Sequence, residues 1–297
     1  IMSIALVIVL SYGIISVGGF DGVVAHVGDL KGFLSITSTH DGATNTATPY
    51  SVLSIASTLA WGLGYFGMPH ILLRFMAIED TKKLKLSRRV ASVWVVISMS
   101  VAVSIGIIGY AMSAEGVIPN LKDSETIIVQ IAHVLSTHGI IFAIIAGVIL
   151  AGILASTMST SDSQLLAASS SVSENLLEGV LNLNLSAGVK IVVARGSVII
   201  ISIIAMFLAS NPNSSVFQIV SFAWAGFGAT FGPVMLFALF WKRSNKYGAI
   251  SGMVAGGIMI FVWKFLVRPM GGVLGIYELL PAFIVASIFI VVVSLLT

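Results

Sequence analysis

The sequence predicts an all-α membrane protein with eight transmembrane helices. Three observations carry that prediction. Only 9% of the 297 residues are charged while 57% are hydrophobic, against about 25% charged in a soluble domain. Mean hydropathy is +1.06. Apolar runs of about 18 residues or more recur along the chain, each long enough to cross a hydrocarbon core of roughly 30 Å. Inside lipid every backbone polar group needs an internal partner, which leaves helices or a closed barrel. The runs are continuous rather than alternating, so helices are expected.

The eight spans are expected at about 1–19, 51–77, 90–113, 139–168, 190–209, 215–241, 247–266 and 278–297, in a single transmembrane domain covering 1–297. The first lacks a basic leader and reads as a span rather than a signal peptide. Ile1 opens inside an apolar run and Thr297 closes one, which reads as a fragment of a longer protein. Between the first two spans lies a polar stretch, Gly19 to Tyr50; between the third and fourth lies the acidic stretch Ser113 to His138.

Basic residues set the expected orientation. Lys82, Lys83, Lys85, Arg88 and Arg89, with Lys190, Arg195, Lys242, Arg243 and Lys246, alternate onto one side; the other side has Lys31, Lys122, Lys264 and Arg268. The richer side is expected to be cytoplasmic, with both chain ends there. The net charge of +3 comes from these loops and indicates no nucleic-acid surface; no cysteine is present for disulfides or thiolate metal sites. Phosphate loop, nucleophile elbow and zinc motif are all missing, so no enzyme is indicated.

Three spans carry unusual chemistry. The second reads Trp61-Gly-Leu-Gly-Tyr-Phe-Gly-Met-Pro69-His70. In a regular helix Pro69 would deprive the Tyr65 carbonyl of its donor, and Trp61, Tyr65 and Pro69 would share a face. An aromatic face beside a freed carbonyl suits a small organic solute; a packed proline kink is the alternative. The fourth reads Ser156-Thr-Met-Ser159-Thr160-Ser-Asp162. The Ser156 carbonyl and the Ser159 and Thr160 hydroxyls can face one spot, a donor set of hard oxygens suited to Na⁺; hydroxyls bonding back to their own helix are the alternative. Asp162 is a carboxylate at helix depth, and so a possible accessory group. In the sixth, Phe222, Trp224, Gly226, Gly228 and Pro233 mark a bendable helix and a candidate gate, with simple close packing as the alternative.

These three stretches resemble the sodium:solute symporter family over essentially the whole chain, with the proline-type pattern the nearest. The resemblance implies a five-plus-five inverted-repeat transporter fold, of which this chain lacks most of the first repeat: its first span would end that repeat, spans two to six would form the second, and the last two would be peripheral. It implies solute contacts at Trp61, Tyr65 and Pro69, Na⁺ ligands at Ser159 and Thr160 near the Ser156 carbonyl, and an outer gate on the sixth span. It also implies symport of Na⁺ with a small zwitterionic solute, L-proline in the proline-type members, across the plasma (inner) membrane. Met68 stands where that pattern has glutamine. A transporter-like sensory module preceding a histidine kinase is the rival reading, and a membrane subunit without transport a third.

Overall fold

The computed structural model describes residues 2–210 and 215–297; Ile1, where the first expected span opens, lies outside them. In chain order the elements are α1 (Met2–Ser16), α2 (Phe20–Val27), the antiparallel hairpin β1 (Ser38–Asp41) and β2 (Thr46–Pro49), α3 (Val52–Leu59), a 3₁₀ run (Ala60–Gly67) and α4 (Pro69–Met76). Then follow α5 (Leu84–Ala114), α6 (Ile127–Ser136), α7 (Ile140–Ser170) with a π-helical extension (Ser171–Val180), and α8 (Ala187–Ala209). The last are α9 (Val216–Phe240), α10 (Lys246–Val262) with a π-helical turn (Trp263–Val267), and α11 (Leu279–Leu296).

Among the described residues six helical stretches are long and apolar enough to cross a membrane: Thr81–Ala114, Ile140–Val180, Ala187–Ala209, Val216–Phe240, Lys246–Met270 and Leu279–Leu296. The pair Ile4–Ser16 and Phe20–Val27, bent by 76°, would make a seventh. The first expected span therefore stops short. Gly18 and Gly19 adopt φ of 82° and 91°, a conformation open to glycine at no steric cost, and the chain turns into α2. The second is interrupted between Gly67 and Pro69. Two polar stretches expected as loops hold structure: the Gly19–Tyr50 stretch forms α2 and the hairpin, and the acidic stretch forms α6.

The chain forms two compact units. One comprises Ile1–Tyr50 and Glu79–Asp162. Its α1 buries Ala5, Val9 and Gly13, with Val17 just past its end, one residue per turn on a single stripe. That stripe meets α5, where Ile105, Ile108, Ala111 and Met112 are buried. A β-carbon on Gly13 would lie 2.5 Å from Ile108 Cγ2, so glycine is what lets the two backbones approach. Ile131 and Leu135 of α6 and Ile149 of α7 complete this core.

The other unit comprises Ser51–Ile78 and Ser163–Thr297. Its centre is α9, packed against the 3₁₀ run, α10 and α11. Gly248, Gly252 and Gly256 of α10 repeat every fourth residue and so face one way. β-Carbons there would lie 1.9 Å from Ser294 Oγ, 2.3 Å from Ile290 Cγ1 and 2.5 Å from the Ala229 carbonyl oxygen. Small residues at such a seam allow dispersion contact between backbones where lipid offers no hydrophobic drive.

Candidate solute and cation sites

Met68 breaks the second expected span. Its backbone is extended, φ −82° and ψ 113°, and Pro69 occupies the first turn of α4. There the missing N–H of proline costs nothing, because the first helical N–H groups lack intrahelical acceptors anyway. The 3₁₀ run before it bonds i to i+3, so the Tyr65 carbonyl does not depend on residue 69 for a donor. Residues three apart eclipse in a 3₁₀ run, so Trp61 and Tyr65, four apart, leave it in different directions, yet both rings reach Trp224, and Tyr65 is 50% exposed.

Trp61 is the centre of an aromatic cluster. Its ring lies near-parallel to those of Phe217, Trp224 and Tyr277, with centroids 5.6, 5.5 and 5.8 Å away. Tyr65 meets Trp224 edge-on at 4.7 Å. The Trp224 indole N–H donates to the Trp61 carbonyl at 3.0 Å. The expected solute face and the expected gate helix are thus joined through Trp61 and Trp224. Pro69 is exposed and has no part in this cluster's ring contacts.

Of the remaining gate residues, Phe222 meets Phe261 and Phe265 edge-on, with the Lys264 ammonium 5.4 Å from its ring centroid. Gly228 approaches Gly64, while a β-carbon at Gly226 would touch nothing within 4 Å. Pro233 is buried inside an unbroken α9. The Ala229 carbonyl, whose helical donor Pro233 removes, abuts Gly256 of α10.

In the other unit, Ser156, Ser159, Thr160 and Asp162 all lie on α7, an uninterrupted helix at that point. Thr160 Oγ1 donates to the Ser156 carbonyl at 3.2 Å, and Thr157 Oγ1 donates to the Ile153 carbonyl at 3.0 Å. Back-bonding to the helix therefore occurs, and it brings the Thr160 and Ser156 oxygens close enough for one small cation to touch both. Ser159, Thr160 and Asp162 are exposed and Ser156 is half-buried. Ser156 and Thr157 line a cavity of about 290 Å³ whose other walls are mostly apolar side chains of α1, α6 and α7.

Four residues behind Trp61 escaped sequence reasoning. The Tyr277 phenol donates to the Ser221 carbonyl at 2.6 Å, and its main-chain N–H donates to Ser57 Oγ at 2.7 Å. Burial, and then the Glu278 charge, push the Tyr277 phenol well above the usual tyrosine range, so it stays a donor. Glu278 is fully buried, with Arg268 Nη1 2.7 Å from Oε2 and Lys264 Nζ 3.3 Å from Oε1. An acidic residue opening an apolar run, with two cations 10 and 14 residues before it, was the only trace of this in the sequence.

The architecture is that of a multi-pass helical membrane protein with a broken, aromatic-bearing span packed on a glycine-rich helix. The sodium:solute symporter family model matches residues 1–256, and the chain belongs to that family. It is 40% identical over 247 residues to the osmoregulated proline transporter OpuE of Bacillus subtilis, covering 83% of this chain and 49% of the relative. It is 40% identical over 255 residues to a sodium/proline symporter of Haemophilus influenzae, 85% of this chain and 49% of the relative. It is 37% identical over 301 residues to the sodium/proline symporter of Escherichia coli, 100% of this chain and 56% of the relative. The chain spans about half the length of these relatives.

Proposed function

We propose that the full-length protein containing this chain is a plasma-membrane symporter that couples Na⁺ entry to uptake of a small zwitterionic solute, L-proline. One observation carries the reading: identity of 37 to 40% to relatives named as proline transporters, over 83% or more of the chain. Those names favour a carrier over a sensory module or a passive subunit. The chemistry of the chain is compatible. Trp61 offers an aromatic surface at a helix break, and α7 offers neutral hard oxygens, a donor set that suits a weakly held monovalent cation.

In this reading the bent pair α1–α2 and the broken segment 52–76 each cross the bilayer once, giving eight crossings in one transmembrane domain. Crossings two to six form the second inverted repeat, with α10 and α11 peripheral. The basic stretches 82–89, 190–195 and 242–246 lie in the cytoplasm, and both ends of the chain lie there too. The solute rests on Trp61 and Tyr65, with Pro69 fixing the break beneath them. Na⁺ touches Ser159, Thr160 and the Ser156 carbonyl, with Asp162 nearby as an accessory charge. The outer end of α9, at Phe222 and Trp224, closes over the solute, with Gly226, Gly228 and Pro233 letting that helix adjust. Coupling requires each ligand to bind one conformation better than the other.

The test is radiolabelled proline uptake by the complete gene product in membrane vesicles, with and without an inward Na⁺ gradient. Accumulation that depends on the gradient is expected. Uptake indifferent to Na⁺, or no proline uptake by correctly inserted protein, overturns the reading.

A further inference from the structure

Tyr277 is fixed more firmly than a ring that only fills space. Its phenol is tied to α9 through Ser221 and its main chain to α3 through Ser57. Its neighbour Glu278 is buried and clamped by Arg268 and Lys264, from the end of α10. Three elements therefore determine where this ring sits, and the face it presents lies on Trp61 at 18° between planes. Among the described residues Trp61 has no such anchor for its own indole: the bond from Trp224 holds only its main-chain carbonyl. Its ring orientation is left to stacking. Among its stacking partners, Phe217 is 64% exposed at the margin of the cluster, Trp224 is tied to the Trp61 main chain itself and moves with it, and Tyr277 is held from outside by two hydrogen bonds. Stacked aromatic pairs prefer offset geometry and resist sliding out of it, so a fixed ring on one side sets the plane and depth of the movable one.

We propose that Tyr277, set between Ser221, Ser57 and the ion-paired Glu278, is a positioning residue that holds the Trp61 indole in the orientation that receives the solute. The inference rests on Trp61 being a solute contact. It assigns part of solute affinity to the connection between α10 and α11, outside the helices that touch the solute. Tyr277 itself makes no contact with the transported molecule. A shift of Tyr277 changes what the solute meets without removing any group from the site.

Two readouts in the full-length protein test it. In proline uptake, Tyr277→Leu is expected to raise the half-saturating concentration roughly two- to tenfold, the span that one aromatic pair is worth. Maximal rate per inserted molecule should be little changed. Tyr277→Phe, which keeps the ring and loses the Ser221 bond, should move it in the same direction by less. Added to Trp61→Ala, Tyr277→Leu should bring no further loss. The second readout is fluorine NMR of protein labelled with 5-fluorotryptophan, the Trp61 resonance being identified by its disappearance in Trp61→Phe. That resonance should shift or broaden in Tyr277→Leu, and in Tyr277→Phe should Leu fail to fold. An unmoved Trp61 resonance in folded variant overturns the inference alone. An unchanged half-saturating concentration in Trp61→Ala removes Trp61 from the solute site, and overturns the inference by that separate route.

Discussion

Gly64 lies flat against the Trp224 indole: a β-carbon built on Gly64 would stand 2.0 Å from the ring nitrogen. The same seam continues one 3₁₀ turn on. At Gly67 a β-carbon would meet the Phe227 carbonyl oxygen at 2.3 Å and the Gly228 and Gly232 backbones at 2.9 Å. The break in the second span can nest on α9 because Gly64 leaves room for the Trp224 ring, and because Gly67 meets Gly228 and Gly232 with no side chain on either surface.

Glycine substitutions should therefore sort by what the methyl group meets. Gly67→Ala pushes on backbone, which cannot swing away, and should destabilise the protein by about 1–3 kcal/mol, as overpacking does. Gly226→Ala, on the same α9 but with nothing within 4 Å, should be neutral or stabilising by up to about 1 kcal/mol, since alanine favours helix over glycine. Thermal unfolding of the detergent-solubilised full-length protein measures both. Equal melting temperatures for the two variants would contradict the seam.

Thr160 and Ser159 should govern the response to Na⁺. A contact to a charged group contributes about 1.5–3 kcal/mol, which is roughly 10- to 100-fold in affinity. Thr160→Ala or Ser159→Ala should raise the half-saturating Na⁺ concentration for uptake by about that factor, with half-saturation for proline at high Na⁺ changing less. If the Thr160 hydroxyl serves only its bond to the Ser156 carbonyl, Na⁺ activation will be unaltered, and the cation site must be sought elsewhere.

Some of this arrangement was legible beforehand and some was hidden, for physical reasons. The break at Met68–Pro69 could be read because proline cannot continue a helix. The change to 3₁₀ pitch before it could not, because a run of glycines and aromatics does not distinguish three residues per turn from 3.6, and with it the directions in which Trp61 and Tyr65 leave the run. The four-residue glycine repeat of α10 was in plain view at Gly248, Gly252 and Gly256, yet only its partner surface on α11 gives it meaning. The hairpin passed for an unstructured polar loop because its strands, Ser38–Asp41 and Thr46–Pro49, are only four residues long and carry no large apolar side chain. Glu278 was invisible as a buried group because burial depends on Arg268 and Lys264 folding back onto it, and residues 10 and 14 positions away in an irregular connection follow no periodic rule.

The hairpin should lose order in acid. The Asp41 carboxylate accepts from Thr44 Oγ1 at 2.8 Å and from the Ala43 N–H at 2.9 Å, and these bonds hold its pKa below the usual aspartate range. A carboxyl with a folded value below its unfolded one stabilises the fold above the unfolded value, near 3.9 for aspartate, and that contribution fades as pH falls through the lowered one. Amide exchange across residues 38–49, corrected for intrinsic rates, should thus be protected at neutral pH and accelerate in acid. Asp41→Asn, which cannot titrate, should flatten that dependence. The same acid acceleration in Asp41→Asn would place the effect on other groups.

Glu278 should be the most sensitive charged residue in its unit. A carboxylate with no exposed surface was taken out of water at a cost of several kcal/mol, offset by its two cations. Removing it leaves Lys264 and Arg268 facing each other across a buried gap. Loss of one partner of a buried pair costs about 3–5 kcal/mol; the lower end is expected because the Arg268 side chain is 40% exposed and can turn toward water. Glu278→Ala should therefore melt well below the parent. The triple change Glu278→Leu, Lys264→Met and Arg268→Met removes all three charges together and should recover much of the loss, because apolar groups of similar volume carry no desolvation penalty there. If the triple variant is no more stable than Glu278→Ala, packing around residue 278 rather than charge pairing holds the α10–α11 connection, and the anchoring of Tyr277 must then be ascribed to its two hydrogen bonds alone.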